Sequence, residues 1–284
     1  MLQLLVDAFV LGCSYALMAV GLNMVYGLLR IIHVAHAALY TLGAYVGLYC
    51  LYHLSQSLWL SLTLGAVFPA LMGALMYRII YSPVLSAPRY VALIAGAGVF
   101  IASQEFYRLI AGPYPYPFNA QFKFLSISSS HLNVTETQML IITFMVCAFL
   151  CLYLIINNTN LGLMWRACTQ DMELAASSGI NINLIIAINF IIGSALAGSA
   201  GVLMALYRNS VFPTMGAMVS YKAFVVVVLG GFGSIPGAAI AGILLALAES
   251  LLGMVPFFNL PRDAIAFLVM VLVLMFKPKG LFGR

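Results

Sequence analysis

Charge is the scarcest chemistry in this sequence: Asp, Glu, Lys and Arg together make up only 7% of its 284 residues. A soluble domain carries about a quarter, so a chain this apolar could not cover itself with polar groups in water. The net charge of +5 comes from twelve scattered Lys and Arg residues. They form no basic stripe, which excludes a nucleic-acid-binding face. No GxxxxGK[ST] stretch is present, so nucleotide phosphates have no cradle of that type. No acid, base and nucleophile converge at a recognised spacing, which removes the usual grounds for catalysis. The five cysteines are scattered. Cys147 and Cys151 share a helical face, but positions i and i+4 lie too far apart for an unstrained bridge, and all five read as apolar packing residues. His33 and His36 lack third and fourth ligands, so satisfied interfacial histidines are preferred to a metal site and no cofactor is expected.

What the sequence does have is oil. Hydrophobic residues make up 64% of the chain and the mean hydropathy is +1.10. Stretches able to cross about 30 Å of hydrocarbon occupy residues 4–29, 37–52, 58–76, 91–110, 139–156, 184–206, 238–255 and 264–276. The expected fold is all-α: a single polytopic transmembrane bundle over residues 1–284 with eight or nine spans in the lipid bilayer. Residues 1–29 lack the basic start and cleavage site of a signal peptide and read as mature structure. Asp7 fits an interfacial helix start, where a carboxylate meets the positive end of the helix dipole. Gly193, Ala197 and Gly201 recur every fourth residue, as in a seam where helix backbones approach closely.

The stretch KAFVVVVLGGFGSIPG at 222–237 begins as a membrane segment and then abandons helical chemistry. Non-helical backbone at membrane depth survives only inside protein or beside a watery cavity. Its apolar half, residues 223–229, is too short to cross alone, so a discontinuous or re-entrant helix is expected.

Loop charges set the orientation. Placing the polar connection 157–183, with Arg166, Asp171 and Glu173, in the cytoplasm puts Arg30, Arg78 and Arg89 there as well. Residues 112–138 then fall outside, where Lys123 is the only Lys or Arg. The GPYPYPF segment of that loop reads as a stiff connector with an aromatic anchor. Lys277, Lys279 and Arg284 argue for a cytoplasmic C-terminus, which requires an odd number of crossings. Within the inner connection, 171–178 has helix formers and paired Ala residues before Gly179, as in a short surface helix with a small-residue face.

Four blocks are similar to the permeases of bacterial ABC importers, specifically the branched-chain (hydrophobic) amino acid family. They are GLNMVYGLLRIIHVAHAALYTLGAYVG from 21, RACTQDMELAASSGIN from 166, KAFVVVVLGGFGSIPG from 222, and the tail KPKGLFGR. Their order and spacing carry the resemblance over nearly the whole chain. His36-Ala37-Ala38 departs from the His-Gly-Asp type common in the family. The resemblance implies an inner-membrane permease subunit importing branched-chain or other hydrophobic amino acids, with urea or short amides as the alternative. It also implies two separate ATPase subunits, a second and related permease subunit, and an external amino-acid-binding protein. Arg166, Asp171, Glu173, Ala176, Gly179 and Ile180 fall in the loop that docks the ATPase in the family.

Few ionisable residues lie within the spans, which disfavours a proton relay and suits an external ATPase. Glu105 and Arg108 are placed to pair on one helical face. Glu249 has no basic neighbour in sequence and is expected to meet a partner helix, a hydroxyl or a watery cavity. Two interrupted polar regions, one with Asn23, Tyr26, His33 and His36 and the other with Gly230, Gly231, Gly233 and Ser234, are expected to line the translocation route. A passive channel remains open; it would conduct without ATP.

Overall fold

The computed structural model describes residues 2–129, 132–253, 261–277 and 280–282. Among them, twelve α-helices dominate: α1 Leu2–Leu29, α2 His36–Tyr49, α3 Leu58–Met76, α4 Ser82–Val84, α5 Arg89–Ala111, α6 Glu136–Asn158, α7 Asn160–Gln170, α8 Met172–Ser177, α9 Ile182–Arg208, α10 Met215–Gly230, α11 Ile235–Leu252 and α12 Arg262–Phe276. Short π-helical turns, Cys50–Leu54 and Tyr77–Tyr81, extend α2 and α3. A small hairpin of β1 (Ile127–Ser129) and β2 (Leu132–Val134), absent from the sequence expectation, decorates the loop before α6. Among the described residues, six helical segments are long and apolar enough to cross a membrane: Leu2–Leu29, Leu58–Val84, Arg89–Ala111, Glu136–Asn158, Ile182–Arg208 and Ile235–Leu252.

Local chemistry sets the helix starts. Thr135 and Gln138 form a reciprocal capping box on α6, and the side chains of Thr159, Asp171, Asn181 and Ser234 accept the first free N–H groups of α7, α8, α9 and α11. Each cap satisfies donors that a helix cannot pair internally.

α1 and α9 form the centre. They cross where Gly21 meets Gly193; a Cβ on Gly193 would sit 2.8 Å from the Gly21 carbonyl oxygen, so only hydrogen fits between the backbones. Gly193, Ala197 and Gly201 are all buried, and the expected seam is an interhelical one. α1 packs along α11 while α9 packs along α3, and α10 lies on α1 as α2 lies on α9. The two halves therefore repeat one arrangement. α1 ends at Arg30 with φ 53° and α9 ends at Asn209 with φ 48°, the only non-glycine residues at positive φ among those described. In each half six residues, 30–35 or 209–214, then lead to the next helix.

Both connectors descend into the bundle. The His36 ring packs on Gly21, eight residues back from the end of α1 or about 12 Å. In the other half, the Gly216 N–H donates to Thr41 Oγ1 (3.1 Å) on α2. Arg30 and Asn209 are exposed at the bundle ends, whereas Ile31, His33, Ala35, Val211 and Pro213 further along the connectors are buried, so the deeper non-helical chain is enclosed by protein, as hydrocarbon requires.

One end of the bundle gathers the start of α1, the end of α9 and the loop 112–135. Asp7 accepts from Gln138 Nε2 (2.6 Å), the Phe118 N–H donates to Asn209 Oδ1 (2.8 Å), and Tyr116 bridges Val211. The opposite end carries Arg30, α7, α8 and the turn 231–234.

Several expectations need correction. The apolar run 223–229 is no isolated half-helix: α10 starts at Met215 and has 16 residues, about 24 Å at 1.5 Å per residue. The break after it is a four-residue turn into α11, and the deep non-helical segments are the connectors 30–35 and 209–214. Asp7 lies beyond the first turn of α1, because the helix starts at Leu2, and it serves as a partner for Gln138. Cys13, Cys50 and Cys168 pack inside, but Cys147 and Cys151 are exposed on α6. Lys279 and Arg284, and the last two positions of the expected span 238–255, lie outside the described residues.

Candidate functional site

At the end bearing Arg30, the connection 157–183 folds as two helices rather than one. Asp171 ends α7 and caps α8: its Oδ1 accepts from the Glu173 and Leu174 N–H groups at 2.8 and 3.0 Å. Gly179 follows at φ 83° with open space around it. That left-handed conformation suits glycine and stops the helix sharply. The paired Ala residues divide their roles: Ala175 is buried against the chain while Ala176 is exposed. Arg166, Asp171, Glu173 and Gly179 are exposed too, and Ile180 is half-buried. Leu163 and Leu174 add exposed apolar side chains. Burial on the inner side of α7 pushes the Cys168 thiol up from its ordinary value, which fits a packing residue.

Of the two polar regions expected to line the route, Asn23 and Tyr26 of the first touch the turn 231–234 of the second, whereas His33 and His36 do not. Asn23, fully buried on α1, holds the turn between α10 and α11 with three hydrogen bonds: its Nδ2 donates to the carbonyls of Ser234 (2.8 Å) and Gly231 (3.3 Å), and its Oδ1 accepts from the Gly233 N–H (2.7 Å). Gly231 and Gly233 sit at φ 96° and 80°, so this turn needs residues without a Cβ. Tyr26 stacks on Phe232 with ring centroids 4.2 Å apart. Beyond the turn, the N–H groups of Leu281 and Phe282 donate to the Leu229 and Gly230 carbonyls, so the tail block closes the free end of α10. Trp165 of α7 lies against Gly27 of α1, and Gly27 lies against Gly233. α7 and the turn thus both approach α1 at Gly27, where an added Cβ would reach each of them.

His33 and His36 form a separate buried corner. His33 Nδ1 is 2.6 Å from the Tyr81 hydroxyl, and its ring packs against Tyr81, Phe190 and His36. No group of three or more His, Cys, Asp or Glu residues that could hold a metal occurs among the described residues.

Sequence reasoning missed a further constellation. Lys222 of α10 is buried, and its Nζ lies 2.9 Å from Glu249 Oε2 on α11 and 3.5 Å from Asp263 Oδ1 on α12. Tyr15 of α1 completes it, accepting from Lys222 (3.1 Å) and donating to Glu249 (3.3 Å). The partner helix expected for Glu249 is thus α10, 27 residues earlier. No helical spacing signals such a pair. Glu105 and Arg108 pair on α5 at 3.0 Å, both about half exposed.

A helical membrane bundle with a repeated core, buried irregular corners and a capped helix pair projecting from one end has the build of a transporter's membrane-spanning subunit. The family described as branched-chain amino acid transport system permease component matches residues 4–274. The chain is 34% identical to the high-affinity branched-chain amino acid transport system permease protein LivH of Salmonella typhimurium, over all of this chain and 96% of that protein. It is 33% identical to BraD of Pseudomonas aeruginosa with the same coverage. LivM of Escherichia coli K12 is 27% identical over 97% of this chain and 69% of its own length. No solved structure matches. The chain belongs to the branched-chain amino acid transport permease family. It is a multi-pass transport permease of the inner membrane.

Proposed function

We propose that this chain is the non-catalytic permease subunit of an ATP-driven importer of branched-chain amino acids. It pairs with a second, related permease, receives substrate from an external binding protein and is driven by two separate ATPases. The full-length likeness to LivH and BraD carries the reading, and the weaker likeness to LivM supports a related permease partner. In this reading α1, α2, α3, α5, α6, α9, α10, α11 and α12 make nine traverses, with the end bearing α7 and α8 in the cytoplasm. Arg30, Arg78, Arg89 and Arg166 then obey the positive-inside rule.

The ATPases dock on α7 and α8, where Arg166, Asp171, Glu173, Ala176, Gly179 and Ile180 present the contact surface. Movement passes from Trp165 through Gly27 to the turn held by Asn23. Tyr26, Gly230, Gly231, Gly233 and Ser234, with the His33 and His36 corner, form the inner part of the route. A rigid joint at this point favours two discrete positions over continuous bending, as alternating access needs.

Reconstitution with both ATPases, the second permease and the binding protein tests this. Leucine uptake into vesicles should require ATP on the α8 side, and the permease alone should neither hydrolyse ATP nor leak leucine. Gly179→Trp should lower uptake per ATP hydrolysed while the subunits still assemble. Uptake without nucleotide would replace the importer by a channel.

A further inference from the structure

We propose that Lys222, Glu249 and Asp263 form a station on the translocation route that receives the zwitterionic head of the amino acid. The substrate's ammonium is taken by the Glu249 and Asp263 carboxylates, and its carboxylate by the Lys222 ammonium. The proposal rests on the importer reading above and names which part of the substrate the membrane domain reads.

Tyr15, which touches both Lys222 and Glu249, lies at the middle of the 28-residue α1. That helix is about 42 Å long, longer than the hydrocarbon is thick, so the cluster lies within the membrane. Asp263 reaches the same Lys222 Nζ, yet its side chain is 60% exposed. An exposed carboxylate at that depth is too costly to face lipid, so this flank faces water or a polar subunit surface.

The cluster also has unused capacity. Glu249 Oε1 is buried and has no hydrogen-bond partner among the described residues. A carboxylate that has lost its water favours a cationic donor at that oxygen. A zwitterion can insert into a lysine–carboxylate pair by swapping partners, ammonium to Glu249 and carboxylate to Lys222, and no buried charge is stranded. A solute with one charge would strand one. Apolar surface lies beside the head group: Tyr221, which donates to Asp263, stacks on the exposed Phe267 with centroids 5.7 Å apart, and Met218 is exposed nearby on α10. A branched aliphatic side chain fits such a surface.

Removing Lys222 or Glu249 alone leaves a buried charge short of its partner and lowers stability, which would confound uptake, so the test uses two other variants. In the reconstituted complex, Asp263→Asn should lower leucine uptake per ATP hydrolysed by about tenfold or more, the loss expected when a charge-assisted contact to the passing solute is removed. Assembly and thermal stability should be unchanged, and Asp263→Glu should retain uptake. The double variant Lys222→Met with Glu249→Leu removes both charges and should fold, but without uptake. Normal uptake by Asp263→Asn, or recovered uptake in the double variant, would overturn the station and assign the cluster to helix packing alone. Failure of the unaltered complex to take up leucine would overturn the importer reading itself and the station with it.

Discussion

α1 and α5 are both long apolar helices, yet the chain treats them in opposite ways. The most apolar stretch of α1 is 67% buried by its own chain, that of α5 only 11%. α1 is rich in contacts made by small or polar groups: Gly21 against Gly193, Asn23 on the turn 231–234, Tyr15 on Lys222 and Glu249. α5 shows Ile94, Ile101, Leu109 and Ile110 to the outside. Lipid tails satisfy a face like that as well as protein does, so specificity in the bundle comes from close backbone approach and polar pairing at its centre. The rim carries the apolar side chains that the chain itself leaves uncovered.

Ion pairs sharpen the contrast, since the central and rim pairs have nearly equal lengths, 2.9 and 3.0 Å. Glu249→Leu should produce the largest loss, about 3 kcal/mol, because the buried Lys222 would keep only Tyr15 and the longer contact to Asp263. Thermal unfolding in detergent would measure it, and a loss below that from the rim pair would erase the distinction. Gly193→Ala should cost about 1–3 kcal/mol, since its methyl meets the backbone oxygen of Gly21 and the helices must separate. Glu105→Gln on α5 should change stability by at most about 1 kcal/mol, as half-exposed pairs usually do.

Much of this was legible in the residues. α3 covers 58–76 as its apolar run indicated, and α5, α6 and α9 extend their runs by only a few residues at either end. Asp171 and Gly179 marked the ends of the short helix through capping chemistry and backbone freedom, both local properties. The start of α10 was hidden because Ser220, Tyr221 and Lys222 interrupt its apolar run, and only Tyr15, Glu249 and Asp263 on other helices make a lysine tolerable there. The repeat was hidden for a similar reason. Connectors 30–35 and 209–214 share length and backbone shape but little sequence, so the likeness lies in geometry. α7 went unseen as a helix because Asn157, Asn158, Thr159, Asn160 and Gly162 give its start the composition of a loop; its division from α8 depends on the Asp171 cap.

The sidedness of α8 tests the account most directly. With Cys147 and Cys151 replaced, since both are exposed, a single cysteine at the exposed Ser177 can be probed with a membrane-impermeant maleimide. The account predicts labelling in inside-out vesicles and none in intact spheroplasts. Labelling from the external side of intact spheroplasts would place α8 beyond the reach of any cytoplasmic ATPase and contradict it.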